Sequence, residues 1–265
     1  MPSRLPSRPA LALLALLPLV PFPAARAEDA ARLLEESEKR HRSASQEYAG
    51  ELTVFARDGR ERKKGWKSWR QGYAGDARLL IRFVDPPEVR GVGFLSLGRP
   101  GKNPDQWLYL PSMKRERRIA AQDRDASFVG TDFNYEDMEE FDRTKYDVSL
   151  AGKEAVGGVP CWRIEARPRS EAGRSVYERK VLWLREDFLY MAKVESFRKG
   201  EEGPAKRLLL EDLVEIGGHR VARRLVMSDL KKGSRTTIVL QKLAFDRAQP
   251  ADRFTMQNLV REGED

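Results

Sequence analysis

The chain has 265 residues, a formal net charge of +8 and a single cysteine. One cysteine excludes an intramolecular disulfide, so the folded domain must be held together by its apolar core. Two histidines and one cysteine, far apart in sequence, do not suggest a zinc centre.

The first 27 residues have the pattern of a secretory signal peptide. Arg4 and Arg8 precede an apolar run over 10–22, and small residues lead up to Ala27. The run is shorter than the roughly 20 residues of a spanning helix, although a retained anchor stays an alternative. We predict a soluble periplasmic protein after cleavage near Ala27, with residues 28–265 as one domain. Nucleic acid is a poor partner for an exported protein.

The mature chain is predicted to begin with one helix and to continue as strands. Over 28–42, Ala30, Leu33 and Leu34 recur at helical spacing, which indicates an amphipathic helix on an apolar surface. From Tyr48 onward the apolar positions alternate with polar ones, and turn signals such as Asp58-Gly59 and Gly157-Gly158 separate short segments. This pattern predicts about a dozen strands.

A mainly β protein with so many strands must curl or split. We expect a strongly curved antiparallel sheet or half-open β-barrel, with the N-terminal helix and one or two short helices over its concave side. So little helix would leave an apolar groove, the usual form of a small-molecule or lipid site. The alternative is a closed sandwich of two sheet layers. We expect a monomer.

The densest mixture of residue types lies between Gln106 and Phe141. An aromatic strand with Trp107 and Tyr109 leads through a Pro-Ser turn into a basic return strand. That strand either protects a sheet edge from aggregation or contacts lipid headgroups or an acidic partner. Its basic residues are Lys114, Arg115, Arg117 and Arg118.

Acidic residues crowd into the next part of this stretch. They are Asp132, Glu136, Asp137, Glu139, Glu140 and Asp142. An EF-hand spacing is absent, so we predict no metal site. A short helix over 134–141 fits better, with Asn134 as its cap and Tyr135, Met138 and Phe141 as an inward stripe. Its carboxylates would then form a solvated face or a docking face.

No catalytic arrangement is recognisable. His41 and His219 lie near no nucleophile motif, and we expect both at the surface. Cys161 follows Pro160 at a strand start and is expected to be a small buried residue. We therefore predict a protein that is not an enzyme and needs no cofactor.

Three blocks in chain order carry a family resemblance. They are the Gly-x-Gly-Phe-Leu block over 90–95, the Trp-x-Tyr-x-Pro-Ser hairpin over 107–119 and the Phe-x-Gly-Thr-Asp-Phe-x-Tyr-Glu-Asp block over 128–138. Together they resemble the LolA-like outer-membrane lipoprotein-sorting family, in the branch associated with RND-type (MMPL-like) exporters. The gating arginine of the lipoprotein chaperone has no equivalent position here.

The resemblance implies a periplasmic carrier whose half-open barrel holds lipid or lipoprotein acyl chains and passes them toward the outer membrane with an RND-type transporter. It favours the groove over the closed sandwich. Candidates for the lipid cavity are Leu79, Ile81, Phe83, Phe94, Trp107, Tyr109, Phe128, Phe133, Tyr135 and Met138. The alternative function is an envelope interaction module that docks through Lys114, Arg115, Arg117 and Arg118 together with Asp132, Glu136 and Asp137.

Overall fold

The computed structural model describes residues 24–261, so the predicted signal peptide lies almost wholly outside the described residues. Helix α1 (Ala24–His41) comes first and α2 (Met256–Val260) comes last. Between them lie β1 (Ser45–Phe55), β2 (Glu61–Gln71), β3 (Arg78–Asp85), β4 (Gly93–Arg99), β5 (Lys102–Leu110), β6 (Arg115–Arg118), β7 (Tyr146–Val156), β8 (Val159–Pro168), β9 (Arg179–Arg185), β10 (Met191–Phe197), β11 (Lys206–Ile216), β12 (His219–Asp229) and β13 (Ser234–Phe245).

The strands form a single antiparallel sheet that is made of two meanders. Strands β1 to β6 follow one another to one edge, and β13 back to β7 follow one another to the other edge. The two meanders join in the centre, where β1 pairs with β13. The predicted curved antiparallel sheet is therefore confirmed, with thirteen strands among the described residues.

One connecting segment, residues 119–145, runs from edge strand β6 to edge strand β7. We call it the crossing segment. A flat sheet of thirteen strands would be about 58 Å wide at about 4.8 Å per strand, so a segment that joins both edges must pass over one face. We call that face of the curved sheet the inner face and the opposite one the outer face.

Aromatic residues of the crossing segment pack on the inner face of the first meander. Phe128 and Tyr135 are buried against Phe94, and the Phe94 and Phe128 rings meet edge to face with centroids 5.1 Å apart. Phe133 and Phe83 belong to the same buried cluster. Each such side chain removes a large apolar area from water, so this half of the inner face is filled from within the chain.

Helix α1 covers part of the inner face of the second meander. Ala30 and Leu34 are buried there against Ile164 and Leu182, as the predicted amphipathic helix requires. At the end of the crossing segment, Phe141 stacks on Tyr146 with ring centroids 4.7 Å apart in the same cluster.

The short helix α2 lies on the outer face and not over the concave side, where short helices were predicted. Leu259 is fully buried against Leu80 and Leu95. Arg82, which points to the same side, donates hydrogen bonds to the carbonyls of Asn258 and Leu259. The first meander carries apolar side chains on both faces, so its outer face needs this cover.

Candidate functional site

A pocket of about 250 Å³ opens between the end of the crossing segment and the inner faces of β9 to β12. Its apolar wall consists of Phe141, Tyr146, Leu182, Met191, Val194, Leu208, Leu210 and Met227. The strand register explains why these side chains meet: Leu182 lies opposite Val194, which lies opposite Leu208, which lies opposite Met227. Residues in register on neighbouring antiparallel strands share one face.

The pocket is only partly covered. Val194, Leu208 and Leu210 are half-buried, in contrast to the fully packed aromatic cluster of the first meander. An engineered cavity of about 150 Å³ in another protein takes up benzene, and small-ligand pockets begin at about 300 Å³. This pocket can therefore hold part of a flexible apolar chain.

Four carboxylates of the crossing segment lie at the polar end of the pocket, and each is paired with a cation. Arg124 is shared between Glu136 and Glu139. The pairs are Glu136 with Arg124 at 3.5 Å, Asp137 with Lys206 at 2.9 Å, Glu139 with Lys145 at 3.1 Å and Glu140 with Arg70 at 3.0 Å. Burial raises the pKa of Glu140, while the Arg70 guanidinium and the Ala74 amide oppose that shift.

Glu136 and Asp137 are further fixed by neutral donors. The Ser175 hydroxyl and the Val176 amide donate to Glu136 at 2.6 and 2.7 Å. The Tyr177 hydroxyl donates to Asp137 at 2.8 Å, and burial beside this carboxylate raises the pKa of Tyr177. Buried carboxylates with several donors hold their surroundings in one arrangement.

The first part of the crossing segment is attached to the centre of the sheet. Asp132 accepts hydrogen bonds from Ser234 at 2.5 Å and Thr236 at 2.6 Å, both on β13. The Lys64 ammonium donates to the carbonyl of Val129. Gly130, which follows, has a φ of +70° and supplies the predicted turn.

These contacts correct the prediction that the acids form an exposed face. Asp132 and Glu136 are 5% and 3% exposed, and the Asp137 side chain is 4% exposed, because each binds residues of the sheet or its loops. The predicted helix over 134–141 is only a 3-10 turn, Glu136–Met138. Its N-cap residue is Tyr135 and not Asn134 as predicted, although Asn134 exchanges side chain–backbone hydrogen bonds with Asp137 at 2.8 and 3.0 Å.

Most of the predicted lipid-cavity residues lie together on the inner face of the first meander. Ile81, Phe83, Phe128, Phe133 and Met138 enclose a second, smaller apolar space of about 60 Å³, together with Leu52, Trp66, Thr131 and Ile238. Leu79, Phe94 and Tyr135 pack in the same cluster. In this conformation the aromatic rings of the crossing segment occupy most of the available room.

Trp107 and Tyr109 are not on that face. Both belong to the outer cluster that α2 covers, while Leu108 between them is buried on the inner face. Alternation along a strand sends successive side chains to opposite faces, and only the cover on each face decides which set lines a cavity. The prediction that Trp107 and Tyr109 line the cavity is therefore wrong, because the cavity lies on the inner face and these two residues lie on the outer face.

The residues that sequence reasoning missed are those of the second meander. Leu208 and Leu210 alternate along β11, and Val194 lies on β10. Such alternation is visible in the sequence, but it is equally typical of strands that pack inside a closed core. The pocket appears only when the crossing segment is known to end above these strands.

The basic residues of the predicted docking hairpin are at the surface. Strand β6 is an edge strand whose four residues are all exposed, as is Lys114. Arg117 pairs with Asp123 at 3.4 Å and Arg118 pairs with Asp105. This arrangement suits edge protection and leaves the strand accessible to a partner.

The histidines and the cysteine are apart from one another and from the pocket wall. His41 bonds the carbonyl of Phe188 at 2.9 Å and His219 bonds Asp246 at 2.7 Å, so both are half-buried and not fully at the surface as predicted. Cys161 is fully buried, which raises its pKa and fits the predicted structural role. Within residues 24–261 no group of three or more His, Cys, Asp or Glu side chains could hold a metal ion. No helix in that part of the chain is long and apolar enough to cross a membrane.

A family model described as an uncharacterized protein matches residues 75–261. Comparison with curated proteins gave no match. Among solved structures, an outer membrane lipoprotein-sorting protein domain from Vibrio parahaemolyticus is similar, with a TM-score of 0.82, 24% identity, and coverage of 89% of this chain and all of that one.

A DUF1329 family protein from Desulfovibrio piger superposes with a TM-score of 0.83 at 24% identity, over 88% of this chain and 99% of its own. A LolA superfamily protein from Nitrosomonas europaea gives a TM-score of 0.69 at 20% identity, over 86% and 98% of the two chains. At these identities the likeness establishes a shared fold, the LolA-like curved sheet.

Proposed function

Because the chain belongs to the family whose model matches residues 75–261 and has the LolA-like fold, we propose that the mature protein is a periplasmic carrier of lipid or lipidated protein. It binds an acyl chain between the crossing segment and the inner face and releases it toward the outer membrane. No bond is broken in this function. An RND-type inner-membrane transporter is the proposed source of the lipid.

The observation that carries the proposal is the unfilled apolar wall of the second meander. Val194, Leu208 and Leu210 remain half-buried beside a pocket of about 250 Å³. Each methylene moved from water into such a site contributes about 0.8 kcal/mol, so even a part of an acyl chain gives useful affinity. Next to the pocket the crossing segment is held by hydrogen bonds and ion pairs, whereas its aromatic residues pack in the core of the first meander.

Native mass spectrometry of the exported protein tests this function. We expect co-purifying lipid, or uptake from supplied lipids, in the wild-type protein. Leu208→Trp should fill the pocket and abolish uptake, whereas Val239→Trp, at an exposed position on β13, should leave it unchanged. A wild-type protein that stays free of ligand with every supplied lipid would refute the carrier function.

A second candidate function is an envelope interaction module that docks on a transporter or sensor. It is favoured by the accessible edge strand β6 and its basic residues. Reversing the charges of Lys114, Arg115, Arg117 and Arg118 would then abolish capture of the partner while lipid uptake stays unchanged. Loss of lipid uptake in a folded charge-reversed protein would instead connect this edge to the carrier function.

A further inference from the structure

Lys180 has the longest ion-pair contact of the charged residues that line the pocket. It lies on β9 with its side chain 13% exposed, at the polar end of the pocket. Its closest ion-pair contact among residues 24–261 is Glu136 at 4.0 Å, and its ammonium lies 5.1 Å from the centre of the Tyr177 ring. In that part of the chain its Nζ donates no hydrogen bond.

The ion pairs around the pocket show that Lys180 is paired less closely than the other cations. The four carboxylates at the polar end are each paired with another cation, at 2.9 to 3.5 Å. Lys180 is the fifth cation of this group and the buried Asp142 is its fifth carboxylate, so the group is neutral as a whole. Among residues 24–261, however, Lys180 alone of these cations donates no hydrogen bond. Burial lowers the pKa of the Lys180 ammonium, but the neighbouring Tyr146 and the carboxylates raise it by a larger amount. The net shift is upward, so the group stays charged.

Neutral polar groups accompany Lys180. Ser196 lies directly opposite it on β10, and Tyr146 lies at the start of β7. Both line the pocket, and neither side chain hydroxyl has a hydrogen-bond partner within the described part of the chain. Two hydroxyls and an ammonium at one end of an apolar pocket are suited to an anion, because all three can donate hydrogen bonds to it.

The register then places an apolar path beside this polar end. Two positions along the same strands, and so about 7 Å away, come Leu182 and Val194, and about 7 Å beyond lies Leu210 in the neighbouring strand β11. These side chains share the inner face with Lys180 because side chains two positions apart point to the same side. The pocket is therefore polar and cationic at one end and apolar along its length.

We propose that the ligand is a single-chain amphiphile with a monoanionic headgroup, of the fatty-acid type. Its carboxylate binds Lys180, Tyr146 and Ser196, and its chain follows Leu182, Val194 and Leu208. The Lys180 ammonium, which donates no hydrogen bond among residues 24–261, can pair with one negative charge, and about 250 Å³ is too little for a lipid with two long chains. This inference rests on the proposed carrier function and specifies its substrate class.

Displacement of a fluorescent apolar probe by dodecanoate and by dodecanol, two ligands of equal chain length, tests the inference. The wild-type protein should bind dodecanoate about tenfold more tightly than dodecanol. Lys180→Met should lose this preference and still bind dodecanol. Lys193→Met is the matched control, since Lys193 is equally buried at 14% exposure but lies over Trp183 on the outer face.

Ser196→Asp provides a second variant in case Lys180→Met does not fold, as judged by circular dichroism. It places a carboxylate opposite Lys180 and should remove the preference for dodecanoate in the same way. Equal affinity of the wild-type protein for both ligands, or a preference that survives in both folded variants, would overturn the anionic-headgroup inference but leave the carrier function intact. Failure of the wild-type protein to bind either ligand would overturn both.

Discussion

Asp137 of the crossing segment accepts a hydrogen bond of 2.9 Å from the Lys206 ammonium on β11, and both side chains are no more than 5% exposed. A buried ion pair of this kind is a poor source of net stability, because both charges lose their hydration. Removal of only one of the two charges, however, strongly destabilises the protein, because the other charge stays buried without a partner. The pair therefore holds the crossing segment in one position above the pocket.

Asp137→Asn should destabilise the protein by about 3–5 kcal/mol, because it leaves the Lys206 charge buried without its anion. Chemical denaturation monitors the effect. The double variant Asp137→Asn/Lys206→Met should recover most of the loss, since no unpaired charge remains and the amide oxygen can still accept the hydrogen bond from Tyr177. Asp212→Asn, which breaks the half-exposed pair of Asp212 with Arg223, should cost less than about 1 kcal/mol. A similar small cost for Asp137→Asn would contradict the buried geometry.

Stability should fall in mildly acidic solution because of His41. Burial lowers the pKa of His41 below its ordinary value of 6.5, although the hydrogen bond to the Phe188 carbonyl opposes the shift. The unfolded chain then takes up a proton before the folded one does. The contribution of His41 to the free energy of unfolding is therefore fully present above about pH 6.5. It is lost as the pH falls through the pKa of His41 in the folded protein.

Urea midpoints measured between about pH 5 and pH 8 test this effect. The His41→Gln variant, which cannot titrate, should show a flatter dependence over this range than the wild-type protein. Parallel curves for the two proteins would show that His41 does not titrate differently on folding.

Gly50→Ala should damage the join between the two meanders. A Cβ atom at Gly50 would lie 2.2 Å from the backbone carbonyl oxygen of Val239, at the irregularity in the β1–β13 pairing. Because backbone atoms on both sides must shift, we expect a loss of about 1–3 kcal/mol or more, measured by thermal or chemical unfolding. Gly203→Ala is the control, since a Cβ there meets nothing within 4 Å. Equal stabilities of the two variants would argue against this register.

Edge protection by β6 can be separated from docking. Replacing Arg115 and Arg117 with valine removes two charges from an exposed edge strand, so light scattering at high protein concentration should reveal association. The same replacement of Arg223 and Arg224, two exposed residues of β12 inside the sheet, should have a smaller effect. A non-associating edge variant would leave the docking function as the better explanation for these charges.

The sequence predicts the fold class well because period-two alternation and glycine turns are local signals. Strand count, the N-terminal helix and the turn at Gly130 all depend on neighbouring residues. The face of each strand that lines a cavity depends instead on what covers it. Trp107 and Leu108 both have large, mainly apolar side chains, and only the positions of α2 and the crossing segment assign one to the outer face and the other to the inner face.

The burial of the acidic stretch cannot be predicted from the sequence for a similar reason. Asp132, Glu136 and Asp137 have the composition of a solvated helix face, but their partners Thr236, Ser175 and Lys206 lie far away in sequence. A buried carboxylate and an exposed one look alike in a single sequence. Pairing of distant charges is visible only after the two meanders have been placed side by side.

The central pairing of β1 with β13 has a consequence for the order of folding. Across this join, the Ala44 amide bonds the Asp246 carboxylate over a sequence separation of 202 residues. Every other strand pair joins consecutive strands. Closing so long a loop carries a large entropic penalty, whereas neighbouring hairpins close cheaply. Each meander should therefore form early and on its own. The pairing of β1 with β13 should be the slow, rate-limiting step of folding.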